Sequence, residues 1–172
     1  MNGIYMKHDK SIPGISLKAR FGLLVMALAI ILVDQITKLI ARDNIELFTQ
    51  KYVAPFWNWT LAYNTGAAFS LFANQGGWQR IFFGLIASVV AIGLVFFILN
   101  RKFSVLTGIA ISFILGGAVG NLVDRVMVGH VTDFIDWHYG IHHWPAFNVA
   151  DSFITVGVAL LIIESLFFNK KQ

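Results

Sequence analysis

The sequence predicts a mainly α-helical integral membrane protein: four transmembrane helices with a small β element in the loop region on the outer, periplasmic face. Three observations carry that prediction. Of the 172 residues 57% are hydrophobic and only 13% charged, with a mean hydropathy of +0.70, whereas soluble domains carry about 25% charged residues. Four segments approach the ~20 apolar residues that a bilayer-spanning helix needs: Phe21 to Ala41, Trp78 to Leu99, Val105 to Val123 and Phe153 to Phe168. Finally, eight of the thirteen Lys and Arg fall in three places that four spans put on one side: Lys7, Lys10, Lys18 and Arg20, then Arg101 and Lys102, then Lys170 and Lys171. The positive-inside rule makes that side cytoplasmic, so both termini are expected inside and the loops 42–77 and 124–152 outside. The chain 1–172 is expected to form a single membrane domain.

The N-terminal dozen residues and the last few are expected to be disordered. Basic residues before an apolar run imitate a secretory signal, but Asp34, Gln35 and Lys38 follow with no small-residue cleavage site, so an uncleaved first span is expected. Asp34 and Lys38 stand four residues apart and suit an ion pair within that helix, a structural role. In the first outer loop Trp57, Trp59, Leu61 and Tyr63 alternate with Asn58, Thr60, Ala62 and Asn64, the period of a half-buried strand. The stretch AYNTGAAFS, with Asn64, Gly66, Ala68 and Phe69, then signals a turn or a backbone contact for an extended substrate. Arg80, at the outer start of the second span, and Glu164, near the inner end of the fourth, read as snorkelling side chains.

The third span ends in LGGAVGNLVDRVM from Leu115. Counting back from Asp124 in fours gives Gly120, Gly116, Ser112 and Gly108, a small-residue stripe that lets another helix approach closely and turns Asp124 toward protein. In the second outer loop Val131 to Trp137 reads as a strand, and Trp57, Trp59, Trp137 and Trp144 suit an interfacial belt as well as a fold. Asp151 opens the fourth span, with Thr155 and Ala159 on the same face.

Seven of the nine acidic residues lie on or near the outer side: Asp34, Asp43, Glu46, Asp124, Asp133, Asp136 and Asp151. The third span leaves the membrane where the fourth re-enters, so Asp124 and Asp151 are expected at similar depth and within hydrogen-bonding reach. Two carboxylates in a partly dry site share a proton, the state that suits peptide hydrolysis by an activated water. The competing readings are an N-cap role for Asp151, a surface pair of Asp124 with Arg125, and a proton relay.

Other chemistries are excluded or weak. The chain has no cysteine, so disulfides, thiolate metal sites and a cysteine nucleophile are ruled out. No GxSxG motif supports serine catalysis, and no HExxH accompanies His138, His142 and His143, which read as loop histidines. The positive charge follows topology, so no nucleic-acid partner is expected.

Five blocks, DQITK from Asp34, NTGAAF from Asn64, GGAVGNLVDR from Gly116, VTDFID from Val131 and FNVADS from Phe147, resemble in order and topology those of the bacterial lipoprotein signal peptidases, the type II signal peptidases. The resemblance covers Phe21 to Phe168. It implies an intramembrane aspartic endopeptidase of the bacterial inner membrane that removes signal peptides from prolipoproteins, cutting before the diacylglyceryl-modified cysteine near the outer face. It implies Asp124 and Asp151 as the catalytic pair, with Asn64, Gly66, Asn121, Arg125 and Asn148 holding the site and substrate. Asp34, Lys38, Gly116, Gly120 and Asp133 are expected to support the structure. It further implies inhibition by globomycin-type cyclic peptides; no metal or organic cofactor, membrane lipids as partners and a monomer are expected. The alternative from another class is a small proton-coupled carrier using the paired carboxylates, although the internal repeat common in carriers is not evident.

Overall fold

The computed structural model describes residues 15–66 and 77–167. Ala68 and Phe69 of the turn stretch, the expected end of the fourth span at Phe168, both tails, and Lys7, Lys10, Lys170 and Lys171 lie outside the described residues. Among the described residues four helices are long and apolar enough to cross a membrane: α1 (Leu17–Asn44), α2 (Trp78–Asn100), α3 (Val105–Met127) and α4 (Val149–Phe167).

Polar side chains cap three of these helices, and α1 and α4 start ahead of their apolar runs. Ser16 accepts the Ala19 N–H at 3.2 Å and Ser104 accepts that of Thr107 at 3.0 Å, each satisfying a first-turn donor. Helix α4 starts four residues before Phe153 because Asn148 and Asp151 cap each other. The Asp151 N–H donates to Asn148 Oδ1 at 2.9 Å, and the Asn148 N–H donates to Asp151 Oδ2 at 3.3 Å, the reciprocal pattern of a capping box.

Helix α3 is the central one, packed against α1, α2 and α4. Ala27, Ala91, Ile98, Ile111 and Leu115 form the core between α1, α2 and α3, while Leu28, Leu32, Ile36, Val89 and Ile92 face outward, the apolar surface that a lipid-facing helix presents. The small-residue stripe of α3 meets α1. A Cβ on Gly116 would lie 2.8 Å from Ile30 Cβ, and one on Gly120 2.6 Å from Asp34 Oδ2. Helix α4 uses a neighbouring face of α3, where Gly117 lies against the Ala150 carbonyl and Gly157 of α4 lies against that of Ala110.

Two side chains read as snorkelling are instead tied to helix ends. Arg80 donates from Nε to the Arg125 carbonyl at 2.9 Å and from Nη2 to that of Val126 at 3.3 Å, where the last turn of α3 leaves acceptors open. Glu164 is buried and accepts the hydroxyls of Ser104 and Thr107 at the start of α3, where a carboxylate also meets the positive end of the helix dipole. Ser104→Ala removes both the cap and one Glu164 partner. It is expected to lower stability by about 1–2 kcal/mol, measurable as a shift of the denaturation midpoint in detergent.

Between the helices lies a four-stranded antiparallel sheet in sequence order: β1 (Gln50–Ala54), β2 (Trp57–Asn64), β3 (Val131–Tyr139) and β4 (His142–His143). The alternation along β2 does not run through to its end. The β2–β3 register shifts between Trp59 and Ala62, a bulge with an extra residue on one strand; Leu61 still packs with Trp59 on the cluster of Ala41, Ile45 and Phe134, while Tyr63 beyond it is exposed. The face assigned to solvent is also partly buried. Asn58 is covered and donates to Asp136 Oδ2 at 2.9 Å, and the Thr60 hydroxyl donates to the Thr49 carbonyl at 2.9 Å.

Candidate functional site

Three elements meet where the sheet joins the helices: the second half of α1, the last turn of α3 with the start of β3, and the start of α4. Helix α1 brings Asp34, Lys38 and Arg42, spaced by four on one face. Lys38 is fully buried, its ammonium 2.8 Å from Asp34 Oδ2, 3.3 Å from Asp124 Oδ2 and 2.8 Å from Asn121 Oδ1. A buried ammonium requires such a complete set of acceptors, since an unpaired charge there is costly. The second Asp34 oxygen accepts the Ala150 N–H at 2.9 Å, tying α1 to the first turn of α4.

Asp124 does not stand where the sequence reading expects it. Its carboxylate faces α1 and β3: Lys38, the Arg42 guanidinium at 3.6 Å, the Gln35 amide at 3.4 Å and the Thr132 N–H at 2.9 Å. Asp151 is not among its partners. The reason lies in the stripe itself, because Asp124 continues the α3 face that packs on α1, while α4 packs on the face of Gly117. Asp124 thus lies in a buried charge cluster with Asp34, Lys38 and Arg42.

The carboxylate that meets Asp151 through a shared partner is Asp133, expected only to support the structure. The Asn148 side chain donates to Asp133 Oδ1 at 2.7 Å, while its carbonyl oxygen and backbone N–H cap Asp151. Asp151 Oδ1 also accepts from Asn121 Nδ2 at 2.8 Å. Asn64 hydrogen-bonds Asp133 from β2 and holds the Gly66 N–H on its Oδ1 at 2.9 Å. Asp133 is buried, and burial together with the nearby Asp151 charge pushes its pKa from 3.8 up to about 7, against the pull of the Asn148 and Asn64 hydrogen bonds and Lys38. A carboxyl that stays protonated near neutrality beside a second carboxylate is the signature of an acid–base pair.

The sign of the linked stability follows. Between about pH 4 and pH 7 the folded chain holds a proton on Asp133 that the unfolded chain has released, so this group's contribution falls as pH rises through that window, by at most about 1.4 kcal/mol per pH unit. Thermal unfolding across that range is expected to show this slope in the wild type and to lose it in Asp133→Asn.

Arg125 reaches the same place from α3. It donates to the Asn121 carbonyl at 3.2 Å and to the Gly66 carbonyl at 3.0 Å, while its buried Nε has no hydrogen-bond partner among the described residues. His130, not singled out by the sequence, stacks on Tyr63 with ring centroids 3.9 Å apart, and burial lowers its pKa. Gln35, Arg42 and Thr132 were also missed; the spacing of Asp34, Lys38 and Arg42 was the signal available for Arg42. The other histidines lie further along the sheet. His143 pairs with Asp136 at 2.8 Å, His138 stacks on His143, and among the described residues no group of three His or acidic side chains is arranged to hold a metal ion.

Comparison with known proteins points one way. A sequence profile for the family described as signal peptidase (SPase) II matches residues 26–167. A lipoprotein signal peptidase of Acinetobacter baumannii (strain ATCC 17978) is 49% identical over 152 residues, covering 88% of this chain and 85% of that protein. One from Teredinibacter turnerae is 48% identical over 146 residues, covering 84% and 87%. Two solved structures, each described as a bacterial membrane enzyme determined by the in meso method, superpose with TM-scores of 0.78 and 0.75 at 36% and 32% identity. They cover 88% and 92% of this chain and 93% and 99% of theirs. None of these relatives supports the carrier alternative.

Proposed function

The chain belongs to the signal peptidase II family, the lipoprotein signal peptidases, and from that premise we propose that Asp133 and Asp151 are its catalytic pair. It is a multi-pass membrane protease that removes signal peptides from prolipoproteins. The observation that carries the assignment is Asn148, which bonds Asp133 with its amide and caps Asp151 with its carbonyl and backbone. Asp124 has no such link, being held by Lys38, Arg42 and the Thr132 N–H.

In this reading Asp133 enters protonated. Asp151, whose oxygens accept N–H bonds from Asn121 and Asn148, takes a proton from water as its oxygen attacks the scissile carbonyl carbon. The Asp133 proton passes to the carbonyl oxygen, giving a tetrahedral diol. Collapse returns one diol proton to Asp133, while Asp151 delivers its proton to the leaving amide nitrogen as the C–N bond breaks. The cycle ends with both carboxyls as they began. Arg125 Nε, a buried donor without an acceptor among the described residues, and the turn of Asn64 and Gly66 bind the peptide backbone around the cut, with Asn121 and Asn148 fixing the acids.

The basic residues Lys18, Arg20, Arg101 and Lys102 at one end of the helices support cytoplasmic termini, with the site at the opposite, outer end. There a signal helix arrives after crossing the bilayer, and a diacylglyceryl cysteine stays at membrane depth, so cleavage falls just before that cysteine. Globomycin-type cyclic peptides compete for the same groups, and the monomer suffices. The test is cleavage of a lipidated precursor by the purified protein in detergent with a chelator present. Cleavage lost in Asp133→Asn and Asp151→Asn is expected, and full activity in either would overturn the pair.

A further inference from the structure

Beyond the catalytic pair, the orientation of one buried amide needs an explanation. Asn121 presents its Nδ2 to Asp151 Oδ1 at 2.8 Å and turns its Oδ1 toward Lys38 Nζ at 2.8 Å and Asn148 Nδ2 at 3.2 Å. The reverse orientation would set an NH2 group against an ammonium and an oxygen against a carboxylate. Two donors would face each other on one side and two acceptors on the other. Of the groups on the Oδ1 side, Lys38 carries the full charge, so its ammonium is what makes the choice strongly one-sided.

Lys38 is itself fixed by three acceptors for its three N–H bonds: Asp34, Asp124 and Asn121. It has no exposed surface, so water cannot replace any of them. Asp34 also takes the Ala150 N–H beside Asp151. The charge cluster of α1 therefore reaches the start of α4 twice, once at the Ala150 N–H next to Asp151 and once through Asn121.

We infer that Lys38 is a positioning residue for the reaction, locking the Asn121 amide so that its NH2 group holds the Asp151 carboxylate toward the attacking water. The inference rests on the reading of Asp151 as catalytic. It assigns Lys38 a role in turnover that an ion pair closing α1 on itself would not have. Loss of the lock frees the amide to flip, so the effect falls on kcat and leaves the peptide-binding groups, and KM, in place.

Lys38→Met alone would strand Asp34, so the test uses two neutral pairs that differ only in a donor. They are Asp34→Asn with Lys38→Met, and Asp34→Asn with Lys38→Gln. In both, the amide oxygen introduced by Asp34→Asn can still accept the Ala150 N–H, and Asp124 keeps Arg42. The Met pair is expected to lose about 10- to 100-fold in kcat, counted per folded molecule, with KM within about twofold; the Gln pair, whose amide can donate to Asn121 Oδ1, is expected to recover most of that loss. Adding Asn121→Ala to the Met pair should cost at least about fivefold less in kcat than Asn121→Ala costs alone, since the residues act in series.

Equal kcat for the Met and Gln pairs, or fully additive effects with Asn121→Ala, would overturn the inference. Should the Met pair not fold, Asp34→Asn with Lys38→Leu, which equally lacks a donor, takes its place against the Gln pair and in the same cycle, with the same outcomes deciding. Asp151→Asn assayed alongside separates the two levels. If it cleaves normally the catalytic reading fails, whereas an inactive Asp151→Asn with an additive cycle sinks only the positioning role.

Discussion

Asp133→Asn and Asp151→Asn are each expected to lower kcat for a lipidated precursor by about 1,000-fold or more, while Asp124→Asn stays within about tenfold of the wild type per folded molecule. A general acid or base contributes typically about 10²- to 10⁴-fold, and members of one proton-sharing pair fail together, so losing either approaches losing both. The amide introduced by Asp133→Asn keeps the size of the side chain and an acceptor for Asn148, yet it has no proton to pass to the carbonyl oxygen. The one introduced by Asp151→Asn keeps a cap for Asn148 but cannot take a proton from water. The outcome of Asp124→Asn differs because that carboxylate touches cations and a backbone N–H, not the reacting groups. Its amide replacement can still accept the Thr132 N–H; Lys38 retains Asp34, and Arg42, 19% exposed, is partly solvated. The cost of Asp124→Asn falls on stability. Initial rates of the three variants, normalised to folded protein by thermal unfolding, check the contrast, and a dead Asp124→Asn beside an active Asp133→Asn would reverse the assignment.

The second large effect is expected from a single methyl group. Gly120→Ala would place a Cβ 2.6 Å from Asp34 Oδ2, closer than atoms tolerate, and the obstacle is no flexible tip. Asp34 is fully buried, holds the Lys38 ammonium at 2.8 Å and takes the Ala150 N–H at 2.9 Å. Either α1 moves away from α3, opening the seam at Gly116 and Ile30, or Asp34 gives up one of its bonds. Overpacking alone costs about 1–3 kcal/mol, and a broken buried ion pair costs about 3–5 kcal/mol. A loss of at least about 3 kcal/mol is therefore expected, seen as a lower unfolding midpoint, with reduced cleavage because the Ala150 and Asn121 links to Asp151 loosen together. Gly84→Ala, whose Cβ would meet only Leu122 Cδ1 at 3.9 Å, is the matched control and should be near neutral.

The four spans and the two main strands were legible from composition and patterning, because lipid admits only long apolar helices with their backbone bonds closed. Their ends were less so. Ser16 and the Asn148–Asp151 box carry helices past their apolar runs, and capping depends on single polar side chains that hydropathy scores against a helix. The β2 alternation misled beyond Leu61, since a bulge is set by the partner strand and β3 lies far along the chain, beginning at Val131.

The order of amino acids is enough to say what kind of protein this is and to name its cast: a membrane bundle with a glycine-lined third helix, a cluster of acids at one end, and asparagines beside them. The family blocks name the same residues. Which carboxylate does what depends on the folded arrangement. Asp124, Asp133 and Asp151 are identical in chemistry, and the difference among them is what stands opposite. The helix period rightly turned Asp124 along the glycine seam but could not say which helix fills that seam. It is α1, with Lys38 and Arg42, so Asp124 is neutralised in place. Asp133 emerges on β3 with an amide and a second carboxylate for company, and burial without a dedicated cation keeps its proton on. A residue's charge state is a property of its surroundings, and those surroundings come from segments that lie far apart along the chain.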